Sequence, residues 1–107
     1  MIPDPSSKAH YNRLKDNYGK QLAASWDEVT DPQKFVYEDV AIAAYLLCHF
    51  KKGEAFVDLG CGNGLLVYLL NQEGFNGFGV DIRRRKIWDR FDKGHTGCFF
   101  IDTDYFK

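Results

Sequence analysis

Ala55-Phe-Val-Asp-Leu59, followed at once by Gly60-Cys-Gly-Asn-Gly64, is the stretch of this sequence that decides the fold. The apolar run is short and bounded by glycines, which predicts a buried strand. A strand that turns directly into a helix needs residues that tolerate unusual backbone angles, and glycine supplies them. The stretch therefore predicts a strand, a glycine loop and the start of a helix.

The residues after this loop predict a helix and then a second strand. A helix is predicted by one face of leucines at Leu65, Leu66, Leu69 and Leu70, and we expect it to end at Gly74, a natural C-cap position. Phe78–Ile82 is then predicted as a strand parallel to the first, reached by a right-handed crossover. Residues 54 to 82 therefore predict one βαβ unit.

Outside this unit the predictions are mostly helical. Residues 1–7 are expected to be a loose lead-in, and residues 8 to about 24 a polar helix with one apolar stripe at Tyr11, Leu14, Tyr18 and Leu22. A second helix is predicted from about 32 to 49, started by a capping hydroxyl or carboxylate in Thr30-Asp31-Pro32-Gln33. A short helix over 84–91 and a third strand over 98–101 are also predicted.

The length limits how much of an α/β fold can be present. Each βα unit needs roughly 30 residues, and the chain has 107. The fold class expected is α/β: N-terminal helices plus the first two or three βα units of a parallel, Rossmann-like sheet. We divide the chain into a lead-in over 1–25 and an incomplete cofactor-binding domain over 26–107.

The loop sequence distinguishes between three classes of ligand. A Walker A loop requires GxxxxGK[ST], and no such Lys-Ser/Thr pair is present here. A dinucleotide loop has GxGxxG, but here the third glycine comes one residue early and Leu65 holds its place. Asp58, two residues before the first glycine, would repel a pyrophosphate but could accept a hydrogen bond from an amino-acid ammonium. S-adenosylmethionine (SAM) carries that ammonium and no phosphate, so SAM is favoured over a nicotinamide nucleotide.

A second carboxylate supports a nucleoside-bearing ligand. Asp81 is expected near the end of the second strand, where an acidic residue commonly hydrogen-bonds ribose hydroxyls in doubly wound folds. A glycine turn with no ligand is the alternative, but the flanking strand, helix and acid all agree with binding. We assign the cofactor contacts to Asp58, Gly60, Cys61, Gly62, Asn63, Gly64, Asp81 and Ile82.

Three stretches together resemble the eukaryotic tRNA (uracil-2′-O-)-methyltransferase family, a branch of the class I SAM-dependent methyltransferases. They are the loop with its strand (56–67), the run Gly79-Val-Asp-Ile-Arg-Arg-Arg-Lys-Ile-Trp-Asp89, and the lead-in helix (31–46). The resemblance covers about residues 26–91, and the tail 92–107 diverges. It implies SAM as cofactor, ribose methylation of uridine 44 in serine tRNA, and a cytoplasmic location.

The resemblance also implies roles for residues beyond the loop. Arg83, Arg84, Arg85 and Lys86 are candidates for contact with tRNA phosphates, and the alternative is a solvated run that pairs with Asp89 and Asp92. Trp88 is either core, which its size favours, or an aromatic wall for adenine. No residue is assigned as the general base. A truncated, non-catalytic isoform and, less favoured, a nucleotide-binding oxidoreductase domain are the alternative functions.

Composition excludes several other classes of protein. A net charge of −1 gives no general attraction to nucleic acid. Three widely spaced cysteines without a CxxC pair argue against a zinc site or a disulfide framework, so no metal is expected. The longest apolar run, residues 40–47, is far too short to span a bilayer, so no membrane contact is expected.

Overall fold

The computed structural model describes residues 5–26, 28–91 and 97–106. The chain divides into two compact units, a helical unit over residues 1–52 and a sheet unit over residues 53–107. None of the helices within the described ranges is long and apolar enough to cross a membrane.

The helical unit begins with three consecutive helical segments. They are α1 (Pro5–Leu14), a five-residue π-helical turn (Lys15–Gly19) and α2 (Lys20–Ala24). The predicted helix over 8–24 is therefore confirmed, but it begins at Pro5, and the expectation of a loose lead-in is wrong for residues 5–7. Residues 1–4 lie outside the described part of the chain.

The long helix α3 (Pro32–His49) has the predicted bounds. Its N-cap is the carboxylate of Asp31, which accepts a hydrogen bond from the Gln33 N–H at 3.0 Å. The hydroxyl of Thr30, the other predicted cap, instead accepts from the Trp26 indole at 3.1 Å. The apolar face of α3 is buried at Val36, Val40, Ala43 and Ala44.

The sheet unit contains three parallel strands in the order β1 (Ala55–Leu59), β2 (Asn76–Asp81), β3 (Cys98–Phe100). Helix α4 (Leu65–Gln72) joins β1 to β2, and α5 (Ile87–Phe91) lies between β2 and β3 in the chain. A short 3₁₀ turn (Thr103–Phe106) follows. The α/β prediction is confirmed, and the third strand forms one residue shorter than predicted.

Helix α4 ends as its sequence predicts. Gly74 takes a left-handed φ of 100°, and its N–H donates to the Asn71 carbonyl at 3.2 Å. The Phe75 N–H donates to the Leu70 carbonyl at 3.0 Å. These two bonds form a Schellman motif, which satisfies the last carbonyls of the helix and directs the chain into β2.

One face of the sheet is covered by α4. Leu65, Val67 and Leu69 of this helix are fully buried. Gly79 of β2 lies directly under the helix and the loop, because a Cβ there would come within 2.9 Å of a Val67 methyl and would overlap Cys61. This close approach brings the carboxyl end of β2 against the glycine loop.

The opposite face of the sheet is exposed in the described chain. Val57 is 52% exposed and Leu59 79%, and both point away from α4 because side chains alternate along a strand. Phe78 and Phe99 lie on the same face, in edge-to-face contact with ring centroids 5.6 Å apart. The prediction that β1 is buried is therefore wrong for this face, since α4 covers only the other side.

Candidate cofactor-binding site

The glycine loop forms an open cradle at the carboxyl end of β1. Gly60, Gly62 and Gly64 all have a left-handed φ, of 75°, 57° and 80°. A Cβ at Gly60 or Gly62 would meet no atom within 4 Å, so both positions border open space. A ligand could approach the main chain there, and any side chain would project into that space.

Most of the loop N–H groups already have acceptors within the chain. The N–H groups of Gly60 and Cys61 both donate to the Val80 carbonyl, at 2.8 and 3.0 Å. The Gly64 N–H donates to the Cys61 carbonyl at 3.0 Å, and the Leu65 N–H to the Asn63 side chain at 2.8 Å. The start of α4 therefore does not present free N–H groups at these two residues. The loop is poorly equipped to bind a phosphate, which needs several such donors.

Asp81, the last residue of β2, is tied to the loop. Its Oδ2 accepts from the Gly62 N–H at 2.8 Å, and its Oδ1 from the Arg83 N–H at 3.1 Å. The Gly62 hydrogen bond, with further backbone donors and the charge of Arg85, holds the pKa of this carboxyl below its usual range. Asp81 is therefore ionised at any physiological pH.

Asp58 lies in a different environment. It is paired with Gly79 in the sheet register, beside the loop, and is half-buried. Burial raises the pKa of its carboxyl, and the negative charge of nearby Asp81 raises it further. Asp81 ionises first, so its charge acts on Asp58. The position thus favours a cationic partner, which would offset both effects.

Three other residues predicted to contact the cofactor, Cys61, Asn63 and Ile82, lie in different environments. The Cys61 side chain is buried, and its sulfur lies 3.3 Å from that of Cys98; burial raises the pKa of both thiols. Asn63 uses its carbonyl oxygen at the start of α4. Ile82, directly after Asp81, is 69% exposed. Of these three residues, Ile82 alone offers an exposed apolar side chain beside the loop.

The family to which the chain belongs follows from comparison with known proteins. Residues 5–98 match the model of the family described as "Predicted AdoMet-dependent methyltransferase", in which AdoMet is SAM. The chain belongs to this methyltransferase family. The match extends beyond the 26–91 range that the sequence resemblance covered, on both sides. SAM is therefore the methyl donor implied for the family.

Comparison with individual proteins shows which relatives the chain is similar to. The chain is 57% identical over 94 residues to a human protein named "Probable tRNA (uracil-O(2)-)-methyltransferase", covering 79% of the chain and 12% of the relative. It is 55% identical over 87 residues to the Schizosaccharomyces pombe "tRNA (uracil-O(2)-)-methyltransferase", covering 76% and 17%. The chain thus spans less than a fifth of the length of these relatives. No solved structure matches it significantly.

The four basic residues of the run over 83–86 differ in their exposure and in their carboxylate neighbours. Arg84 forms an ion pair with Asp89 at 3.0 Å, one of the two pairings expected if the run is simply solvated. Asp92, the other expected partner, lies outside the described residues. Arg85 is half-buried, and its charge acts on Asp81. Arg83 and Lys86 are exposed.

Two features of the candidate site were missed by sequence reasoning. Trp88 donates its indole N–H to the Gly62 carbonyl at 2.7 Å, although the two residues are 26 positions apart. Cys98, on β3, approaches Cys61 across 37 positions. Neither contact has a local sequence signal, because each joins residues that are distant in the sequence. The closeness of Gly79 to the loop could have been inferred from a glycine inside a predicted strand.

Proposed function

We propose that this chain binds SAM at the glycine loop, as the cofactor-binding part of an enzyme that methylates the ribose 2′-oxygen of uridine in tRNA. The observation that carries the proposal is the half-buried position of the Asp58 carboxylate beside the glycine loop. This carboxylate has a raised pKa beside an open glycine cradle whose N–H groups are largely in use. That combination suits an ammonium group and does not suit a pyrophosphate.

Each of these residues would contact a different part of SAM along the sheet edge. Asp58 would accept from the α-ammonium, and the methionine chain would occupy the open space over Gly60 and Gly62. Asp81 would accept from a ribose hydroxyl, since a carboxylate has about four lone-pair sites and three are used by the backbone N–H groups of Gly62, Arg83 and Ile82. The exposed side chain of Ile82 would pack on adenine. When bound, SAM supplies an activated methyl group on its sulfonium.

Cys61, Asn63 and Gly64 would act through the shape of the loop. The Cys61 side chain fills space against β2, where a Cβ on Gly79 would overlap it. Asn63 fixes the first turn of α4 through its hydrogen bond to Leu65. A Cβ on Gly64 would lie 2.8 Å from the Cys98 sulfur, so a larger residue there would displace the loop.

The tRNA substrate is proposed from the names of the relatives, and serine tRNA from the family resemblance. Arg83 and Lys86, which follow Asp81 in the chain and are exposed, would contact phosphates of the tRNA. Arg84 and Arg85 would contribute after release from their present carboxylate neighbours. Such contacts are electrostatic, so they should weaken as salt is added.

A segment exchange tests this function. The 55% identity to the S. pombe relative allows its aligned segment to be replaced by the matching residues of this chain. We expect the chimera to methylate the 2′-oxygen of uridine in tRNA, detected by nucleoside mass spectrometry, and the same chimera with Asp58→Ala to lose most activity. A well-folded chimera that leaves tRNA unmodified, while the unaltered relative methylates it, would overturn the proposal.

A further inference from the structure

Gly62 is held by side chains at both of its backbone polar groups. Its N–H donates to Asp81 Oδ2 at 2.8 Å, and its carbonyl accepts from Trp88 Nε1 at 2.7 Å. Both partners come from the segment that runs from the end of β2 into α5. Since Gly62 has a φ of 57° and borders the open cradle, these two bonds fix the orientation of the two peptide units that flank it, beside the ligand space.

Trp88 is itself firmly placed. Its side chain is 4% exposed, and its Cδ1 lies 3.2 Å from the point that a Cβ on Gly64 would occupy. Helix α5 is also held on α4 by stacking of Phe91 on Tyr68, with ring centroids 4.8 Å apart. The indole therefore cannot leave the loop without opening this packing.

We propose that Trp88 is a positioning residue for the cofactor loop, whose indole N–H holds the Gly62 carbonyl, and with it the peptide between Gly62 and Asn63, in the orientation used to bind SAM. The proposal rests on the proposed function. Its physical basis is preorganisation: a loop already fixed in its binding conformation loses less entropy when the ligand binds. At 4% exposure the ring has no open face on which adenine could stack, so the role is through the loop and not by direct contact.

Trp88→Phe separates this role from the alternatives, because it keeps an aromatic ring and removes the donor. A net hydrogen bond affects stability by about 0.5–1.5 kcal/mol, so we expect SAM binding to weaken roughly three- to tenfold. A residue that only stacks on adenine would lose little affinity on this change. A residue that only fills the core would lower the melting temperature and leave the affinity of the folded chain unchanged.

Trp26→Phe is the matched control, since Trp26 also donates its indole N–H to an oxygen, the Thr30 hydroxyl at 3.1 Å. SAM affinity is measured by calorimetry at a temperature where circular dichroism shows every variant folded. We expect Trp26→Phe to bind as the unchanged chain does. If Trp88→Phe unfolds, benzothienylalanine replaces the one remaining tryptophan of the Trp26→Phe chain, because it keeps the ring shape without the N–H.

Combining Trp88→Phe with Asp81→Ala gives a second readout. The two changes remove the side-chain hydrogen bonds to the carbonyl and to the N–H of the same residue, Gly62, so their effects on SAM affinity should be coupled and not multiply independently. Unchanged affinity in Trp88→Phe and in the benzothienylalanine chain would overturn the positioning role while SAM binding itself stands. Absence of saturable SAM binding in the unchanged chain would instead overturn the proposed function.

Discussion

At the residue scale, the two carboxylates at the sheet edge have opposite energetic roles. Asp81 is stabilised by backbone N–H donors, so its charge favours the folded chain. Asp58 is half-buried near that charge, so its ionisation disfavours the folded chain when no cation is bound. A residue that costs stability in the absence of ligand is the pattern expected of a binding residue.

Asp58→Asn tests this contrast directly. Removing the buried charge should raise the melting temperature without cofactor, by about 1–4 °C, while the lost ammonium contact weakens SAM binding roughly 10- to 100-fold. Thermal unfolding and calorimetry measure the two effects. Asp89→Asn, an exposed carboxylate paired with Arg84, is the control and should change neither by much. A destabilised Asp58→Asn chain with normal SAM affinity would contradict this role for Asp58.

The same carboxylates predict a pH dependence. Asp58 must be ionised to bind an ammonium, so SAM affinity should fall as pH drops through its raised pKa, at a pH above the ordinary aspartate value of about 3.9. Stability without SAM should show two opposite effects. The contribution of Asp58 to the free energy of unfolding decreases as pH rises from about 4 through that raised pKa. The contribution of Asp81 to the free energy of unfolding is complete above about pH 4 and is lost as pH falls through its lowered pKa.

Calorimetry and thermal unfolding between about pH 4 and 8 check this dependence. Asp58→Asn should flatten the pH dependence of SAM affinity, whereas Asp89→Asn should leave it as it is. An affinity that stays constant across this range in the unchanged chain would mean that no titrating carboxylate takes part in binding.

At the element scale, the side chain of Asn71 joins α4 to β2 by making the pair of backbone hydrogen bonds that a neighbouring strand would make. The Asn71 amide donates to the Gly77 carbonyl at 2.9 Å and accepts from the Gly77 N–H at 3.0 Å. These bonds, with the Schellman motif at Gly74, fix where β2 begins and hence where Asp81 falls relative to the loop. The placement of the second carboxylate therefore depends on the end of the helix.

Asn71→Ala should destabilise the sheet unit by about 1–3 kcal/mol, because it leaves the partly buried Gly77 groups without these partners. Asn12→Ala, at an exposed position of α1, is the matched control and should be nearly neutral. Urea unfolding followed by circular dichroism gives both values. Equal stability of the two variants would show that the Asn71 contacts contribute nothing to the fold.

Sequence reasoning predicted these elements better than their burial. The bounds of α3 and β1 and the end of α4 follow from local sequence signals. These are a proline after a cap, glycines after an apolar run, and a glycine after the leucine face of the helix. The exposure of Val57 and Leu59 could not be predicted, since it depends on which elements cover each face. The Trp88–Gly62 contact was missed for the same reason, because it joins residues distant in sequence.

At the scale of the whole molecule, the sheet unit carries an apolar face that α4 does not cover. Its exposed side chains include Val57, Leu59, Phe78 and Phe99. Contiguous apolar surface of this kind favours association. The chain also spans less than a fifth of the relatives quoted above.

This apolar face predicts concentration-dependent self-association and binding of a hydrophobic dye. Val57→Thr with Phe99→Thr should reduce both, whereas Val29→Thr, a fully exposed residue of the helical unit, should not. Analytical ultracentrifugation and dye fluorescence provide the measurements. A monodisperse monomer that binds no dye would show that this face is covered in solution.

The central claim is that the glycine loop binds SAM, and one calorimetric titration tests it most directly. SAM and NADH are titrated separately into the folded chain and into its Asp81→Ala variant. We expect saturable SAM binding, weakened roughly 10- to 100-fold in the variant, and weaker or no binding of NADH. Absence of SAM binding in a chain that circular dichroism shows to be folded, or NADH binding tighter than SAM, would contradict it.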